Sequence, residues 1–303
     1  MTAPAPHRAE RTLRRLDLAV RRRLDGLLQG DHGGLRPGPG GEPDAVRPYS
    51  PGLDDVRLID WSVTARTGQP HVRATVAEHE LETWVLVDGS ASMDFGTAVM
   101  EKRELAAAVV AALGALTDAP GNRLGARVLT GAGLGTHRPR GGRLARRALL
   151  RDLLDAPRTA PGPGAGAELA AGLERFGREH RRPGLRVVVS DFLDDSPWEA
   201  PMRRLTARHE VLAVGVVDPR DRRLPDVGAL VLVDPETGRR REVRTDPRLR
   251  ARFAQASAAH AAATSAAVRR AGAEHLELRT DGDWVTDLAR FVAGRRRMRR
   301  GKR

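Results

Sequence analysis

The chain has 303 residues, with 52 Lys plus Arg against 39 Asp plus Glu, no cysteine, and an aromatic fraction of only 3%. That length predicts two domains, or one large domain with extensions, around a core of Leu, Val and Ala. The missing cysteines exclude disulfides, thiol nucleophiles and Cys-based zinc sites, and the composition fits a soluble globular protein expected in the cytoplasm.

The net charge of +13 is carried almost wholly by Arg, since Lys stands only at positions 102 and 302. It reads as a solvated surface, with an acidic partner as the alternative. From residue 8 to 29, Leu13, Leu16, Val20, Leu24 and Leu27 recur at helical spacing and predict an amphipathic helix. A Gly/Pro loop follows over 30–41, then short extended or mixed segments at 55–61 and 71–81. Asp60, Arg57 and Arg66 read as an ion-pair cluster that pins this extension, or as a docking surface.

From residue 82 the pattern alternates. Strands are predicted at 83–87, 124–130, 185–189, 210–217 and 275–279, and helices at 98–117, 143–155, 166–178, 197–207, 246–271 and 283–293. Asp234-Pro235-Glu236-Thr237-Gly238 marks a hairpin turn inside 229–244. Alternating strands and helices predict a doubly wound α/β domain, a mostly parallel sheet with helices on both faces. The expected division is an extension over 1–81, the α/β domain over 82–294, and a basic disordered tail over 295–303. The longest mostly apolar run, Leu105–Leu116, falls short of the ~20 residues of a membrane span, and no membrane role is expected.

One constellation carries chemistry. The apolar run 83–87 ends in Asp88-Gly89-Ser90-Ala91-Ser92, so one carboxylate and two hydroxyls alternate where a buried strand stops. The run 187–189 likewise ends in Ser190-Asp191. Asp88, Ser90, Ser92 and Asp191 therefore form a candidate site for a hard cation, Mg²⁺ or Mn²⁺, at the carboxyl edge of a parallel sheet. A strand-to-helix turn with small polar caps is the competing reading of the first three. Ser90 lacks a Gly-x-Ser-x-Gly elbow, no phosphate-binding Gly-Lys-[Ser/Thr] run exists, and the nine His are scattered.

Asp88-Gly89-Ser90-Ala91-Ser92 with Ser190-Asp191 resembles the von Willebrand factor A-like fold and its metal-ion-dependent adhesion site. Tyr49-Ser50-Pro51-Gly52-Leu53-Asp54-Asp55 through Trp61, then Thr64-Ala65-Arg66-Thr67-Gly68, resembles the signature of the bacterial "domain of unknown function 58" family. Lys102, Gly121–Gly125, Asp218-Pro219 and Leu224-Pro225 match the same pattern. The resemblance implies a non-enzymatic interaction protein that works with a MoxR-type AAA+ ATPase in chaperone-like or maturation work, with no client specified. It also implies a degenerate ion site. Where the family pattern has Thr, this chain has Ala167, so metal binding is expected to be weak. The alternatives are a metal-dependent hydrolase using Asp88 and Asp191, or nucleic-acid binding through the Arg-rich ends. The second is not the expected mode, because no aromatics interleave with the Arg residues.

Overall fold

A computed structural model describes residues 45–50, 56–74, 82–116, 122–158, 168–179 and 183–300. The helix predicted at 8–29, the loop at 30–41 and position 167 lie outside the described residues.

Strands β1 (Ala45–Pro48) and β2 (His71–Ala74) pair antiparallel as a separate two-stranded sheet. Between them runs a short helix, α1 (Trp61–Thr67). Asp60 is its N-cap, accepting from the amides of Ser62 at 3.0 Å and Val63 at 3.2 Å. Asp60 thus fills orphan donors at a helix start.

The main sheet has six strands: β3 (Glu82–Asp88), β4 (Arg123–Thr130), β5 (Gly133–Arg140), β6 (Leu185–Ser190), β7 (Glu210–Val217) and β10 (Glu274–Arg279). Their spatial order is β10-β7-β6-β3-β4-β5, all parallel except the antiparallel edge strand β5. Crossovers on one side of β3 run through β4, and on the other through β6 and β7, so the winding reverses between β3 and β6. Such a reversal leaves a crevice at the carboxyl ends of the two strands, where open α/β sheets bind ligands.

Alternation along the strands fills two apolar layers. Val85, Val87, Val187, Val189, Leu212 and Val214 face one side, under α2 (Lys102–Leu116), α3 (Arg143–Asp155) and the closing helix α8 (Trp284–Arg300). Trp84, Leu86, Val188, Val211 and Ala213 face the other, under α4 (Leu169–Glu179), α5 (Glu199–Thr206) and α7 (Pro247–Arg270). Both faces of the central strands are buried, hence their near-continuous apolar runs. The expected doubly wound sheet is the one found.

Three details differ from expectation. The edge strand β5 was not foreseen, because Gly133, Gly135 and Pro139 give it the composition of a loop. An edge tolerates them, since only one side of it must pair. The last helix continues to Arg300, so residues 295–300 are helical where a disordered tail was expected. Arg295 explains part of this, bridging Glu210 and Glu274 at 3.0 Å each. Finally, α6 (Pro219–Arg222) is a single turn capped by Asp218. It leads to the predicted hairpin, found as β8 (Ala229–Val233) and β9 (Arg240–Arg244). No helix among the described residues is long and apolar enough to cross a membrane.

Candidate functional site

Strands β3 and β6 pair in register, Trp84 with Arg186 through Val87 with Val189. Asp88 and Asp191 therefore reach the same edge of the sheet at the reversal point. After Asp88 the chain turns through Gly89, whose amide donates to the Leu129 carbonyl at 2.7 Å. A Cβ at position 89 would stand 3.0 Å from that oxygen, so the close approach favours glycine. A 3₁₀ turn over Ala91–Asp94 then buries Ser92.

Asp88 is 5% exposed, and each of its oxygens accepts a hydrogen bond. The Ser90 amide donates to Oδ1 at 2.9 Å, and the Ser190 hydroxyl donates to Oδ2 at 2.6 Å. The hydroxyls of Ser90 and Ser92 lie 3.1 Å apart. Burial and then the negative charge of Asp191 push the Asp88 carboxyl up to about 6, although the hydrogen bonds from Ser190 and Ser90 resist the shift. Ser190 in turn accepts from the amide of Phe192 at 3.0 Å. Phe192 has a left-handed backbone, φ 54°, and its buried ring packs on Trp198 at 5.3 Å. That packing stabilises a conformation which costs a non-glycine residue on the order of 1–3 kcal/mol.

Asp191 meets a cation already in the chain. The Lys102 ammonium donates to Asp191 Oδ2 at 2.7 Å and lies 3.2 Å from Asp221 Oδ2. Burial works against the charge on Lys102, which is 1% exposed. The two carboxylates outweigh it and hold the pKa above the ordinary lysine value. Phe95 covers the ammonium, with its ring centroid 5.8 Å away. One more carboxylate arrives from the hairpin turn. Glu236 Oε1 accepts from the Ser92 amide at 3.2 Å, while its Oε2 is buried with no hydrogen-bond partner.

The structure thus brings Asp88, Ser90, Ser92 and Asp191 to one edge and adds three residues the sequence reading did not place there: Lys102, Asp221 and Glu236. Lys102 carried a signal, being the chain's only lysine before residue 302. Glu236 carried none beyond its place in a turn, because nothing in a sequence tells which way a hairpin folds back. The donor set suits a hard, oxygen-seeking cation: two hydroxyls, carboxylates in excess of the one ammonium, and an unsatisfied carboxylate oxygen. It does not make a cage of its own. No group of three or more His, Asp or Glu that could hold a metal occurs among the described residues. Hydroxyls and water would have to supply the other ligands.

The family model described as "Protein of unknown function DUF58" matches residues 45–263. The chain belongs to the DUF58 family. Relatives of this DUF58 chain include the proteins named Uncharacterized protein Mb1516 of Mycobacterium bovis and Uncharacterized protein Rv1480 of Mycobacterium tuberculosis. Each is 52% identical over 285 residues, covering 94% of this chain and 89% of the relative. Among solved structures it is similar to BatB from Bacteroides thetaiotaomicron, at 11% identity and TM-score 0.43, covering 71% of this chain and 98% of that one. The SpRpn10 VWA domain is similar at 12% identity and TM-score 0.38, covering 69% and 93%.

Proposed function

We propose that this chain is a non-enzymatic, cytoplasmic protein-interaction module that offers the Asp88–Ser92 face, with Asp191, to a partner protein. The observation that carries the reading is the buried oxygen set at the sheet's reversal point, flanked by exposed apolar side chains. Phe95 is 41% exposed and touches Lys102, and Leu193 is 45% exposed two residues beyond Asp191. A polar centre with apolar neighbours is how protein interfaces are commonly built. Against metal-dependent hydrolysis by Asp88 and Asp191, Asp191 is tied to the buried Lys102 ammonium rather than free to act as a base.

Mg²⁺ or Mn²⁺ would be held by Ser90, Ser92 and Asp88, with Asp191 behind them. Such an ion supplies a Lewis-acid point that a partner's acidic side chain can join. Its binding is weak in this reading, for two reasons: Ala167 offers no hydroxyl, and Lys102 already neutralises part of the charge. The partner we propose, from the family resemblance, is a MoxR-type AAA+ ATPase. Nucleic acid is not part of the reading.

Capture of a MoxR-type AAA+ ATPase from the same genome on the immobilised full chain tests this. Wild type should retain it in the presence of Mg²⁺, and Asp88→Ala should lose at least about tenfold in affinity, the equivalent of one strong charge-assisted contact. Equal capture by wild type and variant, or none by either, would remove this face as the docking site.

A further inference from the structure

The hairpin β8–β9 pairs with no strand of the main sheet. An isolated two-stranded hairpin is marginal in water, so something else must hold it. The structure shows two fastenings. At the base, Thr245 donates from its amide to the Gly228 carbonyl at 2.7 Å, and its hydroxyl accepts from the Val227 amide at 3.2 Å. At the tip, Glu236 reaches the Ser92 amide. Along the hairpin, Val231 and Val233 of β8 are exposed, and Leu230 and Leu232 between them are half-buried.

The tip is built to point. Asp234 Oδ1 accepts from the amides of Glu236 at 2.9 Å and Thr237 at 3.4 Å, and Gly238 closes the turn with φ 71°. This fixes the Glu236 backbone and sends its carboxylate onto the oxygen site. The placement is costly there. Negative charge from Asp191 already faces Glu236, and Oε2 is buried without a donor. An acceptor that the protein itself leaves unmatched is available to a cation or to a donor from a partner.

We propose that Glu236 is a tethered ligand of the oxygen site, taking the place that an acidic side chain of a partner would take. The β8–β9 hairpin is then a clasp. It must lift from Ser92 before another protein can reach Ser90, Ser92 and Asp191. A cation entering the site is satisfied by Glu236 Oε2 and tightens the clasp, and a partner carboxylate competes with it. The inference rests on reading the Asp88–Ser92 face as a partner site.

Hydrogen exchange on the full chain, with a chelator and then with Mn²⁺, tests it. In chelator, Glu236→Ala should raise exchange at the Ser92 amide and across 229–244 by roughly tenfold, the loss of one charge-assisted hydrogen bond. Strands β3 and β6 should exchange as in wild type. Glu242→Gln, on an exposed position of β9, is the control and should change nothing. Mn²⁺ should slow hairpin exchange in wild type, and calorimetry should show its affinity falling about tenfold in Glu236→Ala. Unchanged hairpin exchange in Glu236→Ala would overturn the clasp, whatever the metal does. Absence of Mn²⁺ binding by wild type, or binding untouched by Asp88→Ala, would remove the cation while the chelator comparison still decides the clasp.

Discussion

Lys102 is the residue on which the site's electrostatics turn. Its ammonium is buried between Asp191 and Asp221, and no water can take its place cheaply. Replacing it by Met leaves Asp191 buried without its cation, so Lys102→Met should cost about 3–5 kcal/mol in urea unfolding. Adding Asp191→Asn should restore part of that loss, a coupling that a double-mutant cycle reads directly. Asp218 works by hydrogen bonds instead. Burial would raise its pKa, but donors from Thr97, Arg220 and Thr280 prevail and hold it below the ordinary 3.8. A depressed carboxylate contributes stability above its unfolded pKa and loses it as pH falls. The acid limb of the stability profile should therefore begin near pH 4, and Asp218→Asn should flatten it while costing about 1–3 kcal/mol at neutral pH. An unchanged acid limb would show that Asp218 is not the group titrating. Asp88, Ser90, Ser92 and Asp191 were legible in the sequence because each ends or follows an apolar run of strand length. The place of Lys102 and Glu236 at the site was not, since their partners lie 89 and 144 residues away in the chain.

Elements were legible where a single period dominates. The strands at 185–190 and 210–217 and the helix at 143–155 were set by apolar, β-branched runs or a clear three-and-four spacing. The edge strand β5 was hidden by Gly and Pro, and the continuation of α8 by a run of Arg that looks like a tail. Pairing across the sheet also imposes demands that no local pattern announces. Gly125 in β4 lies against the ring of Trp84, and a Cβ there would stand 2.8 Å from it. Trp84 is itself fixed, its indole donating to Glu82 at 2.5 Å. Gly125→Ala should therefore overpack this contact and cost about 1–3 kcal/mol, with a matching fall in the unfolding midpoint. A variant as stable as wild type would mean that the Trp84 ring shifts freely.

At the scale of the whole molecule, the end of α8 joins the two strands that close one side of the sheet. Arg295, with a side chain 17% exposed, bridges Glu210 on β7 and Glu274 on β10. Removing residues 295–303 should lower stability by about 1 kcal/mol, and high salt should erase most of the difference. A loss that persists at 1 M salt would point to packing rather than charge. The order of the strands has a consequence in time as well. Asp88 is bonded to Ser190, 102 residues further on, and Ser92 to Glu236, 144 residues further on. At about 5–20 residues per second, a ribosome delivers Glu236 some 7–30 s after Ser92. Through that interval the growing chain holds Asp88 and the Ser90–Ser92 turn without the clasp, and through most of it without Asp191 and Asp221 as well. Any protein that binds the nascent chain at this turn meets it open, and the last arrival, Glu236, closes a window that synthesis itself has held ajar.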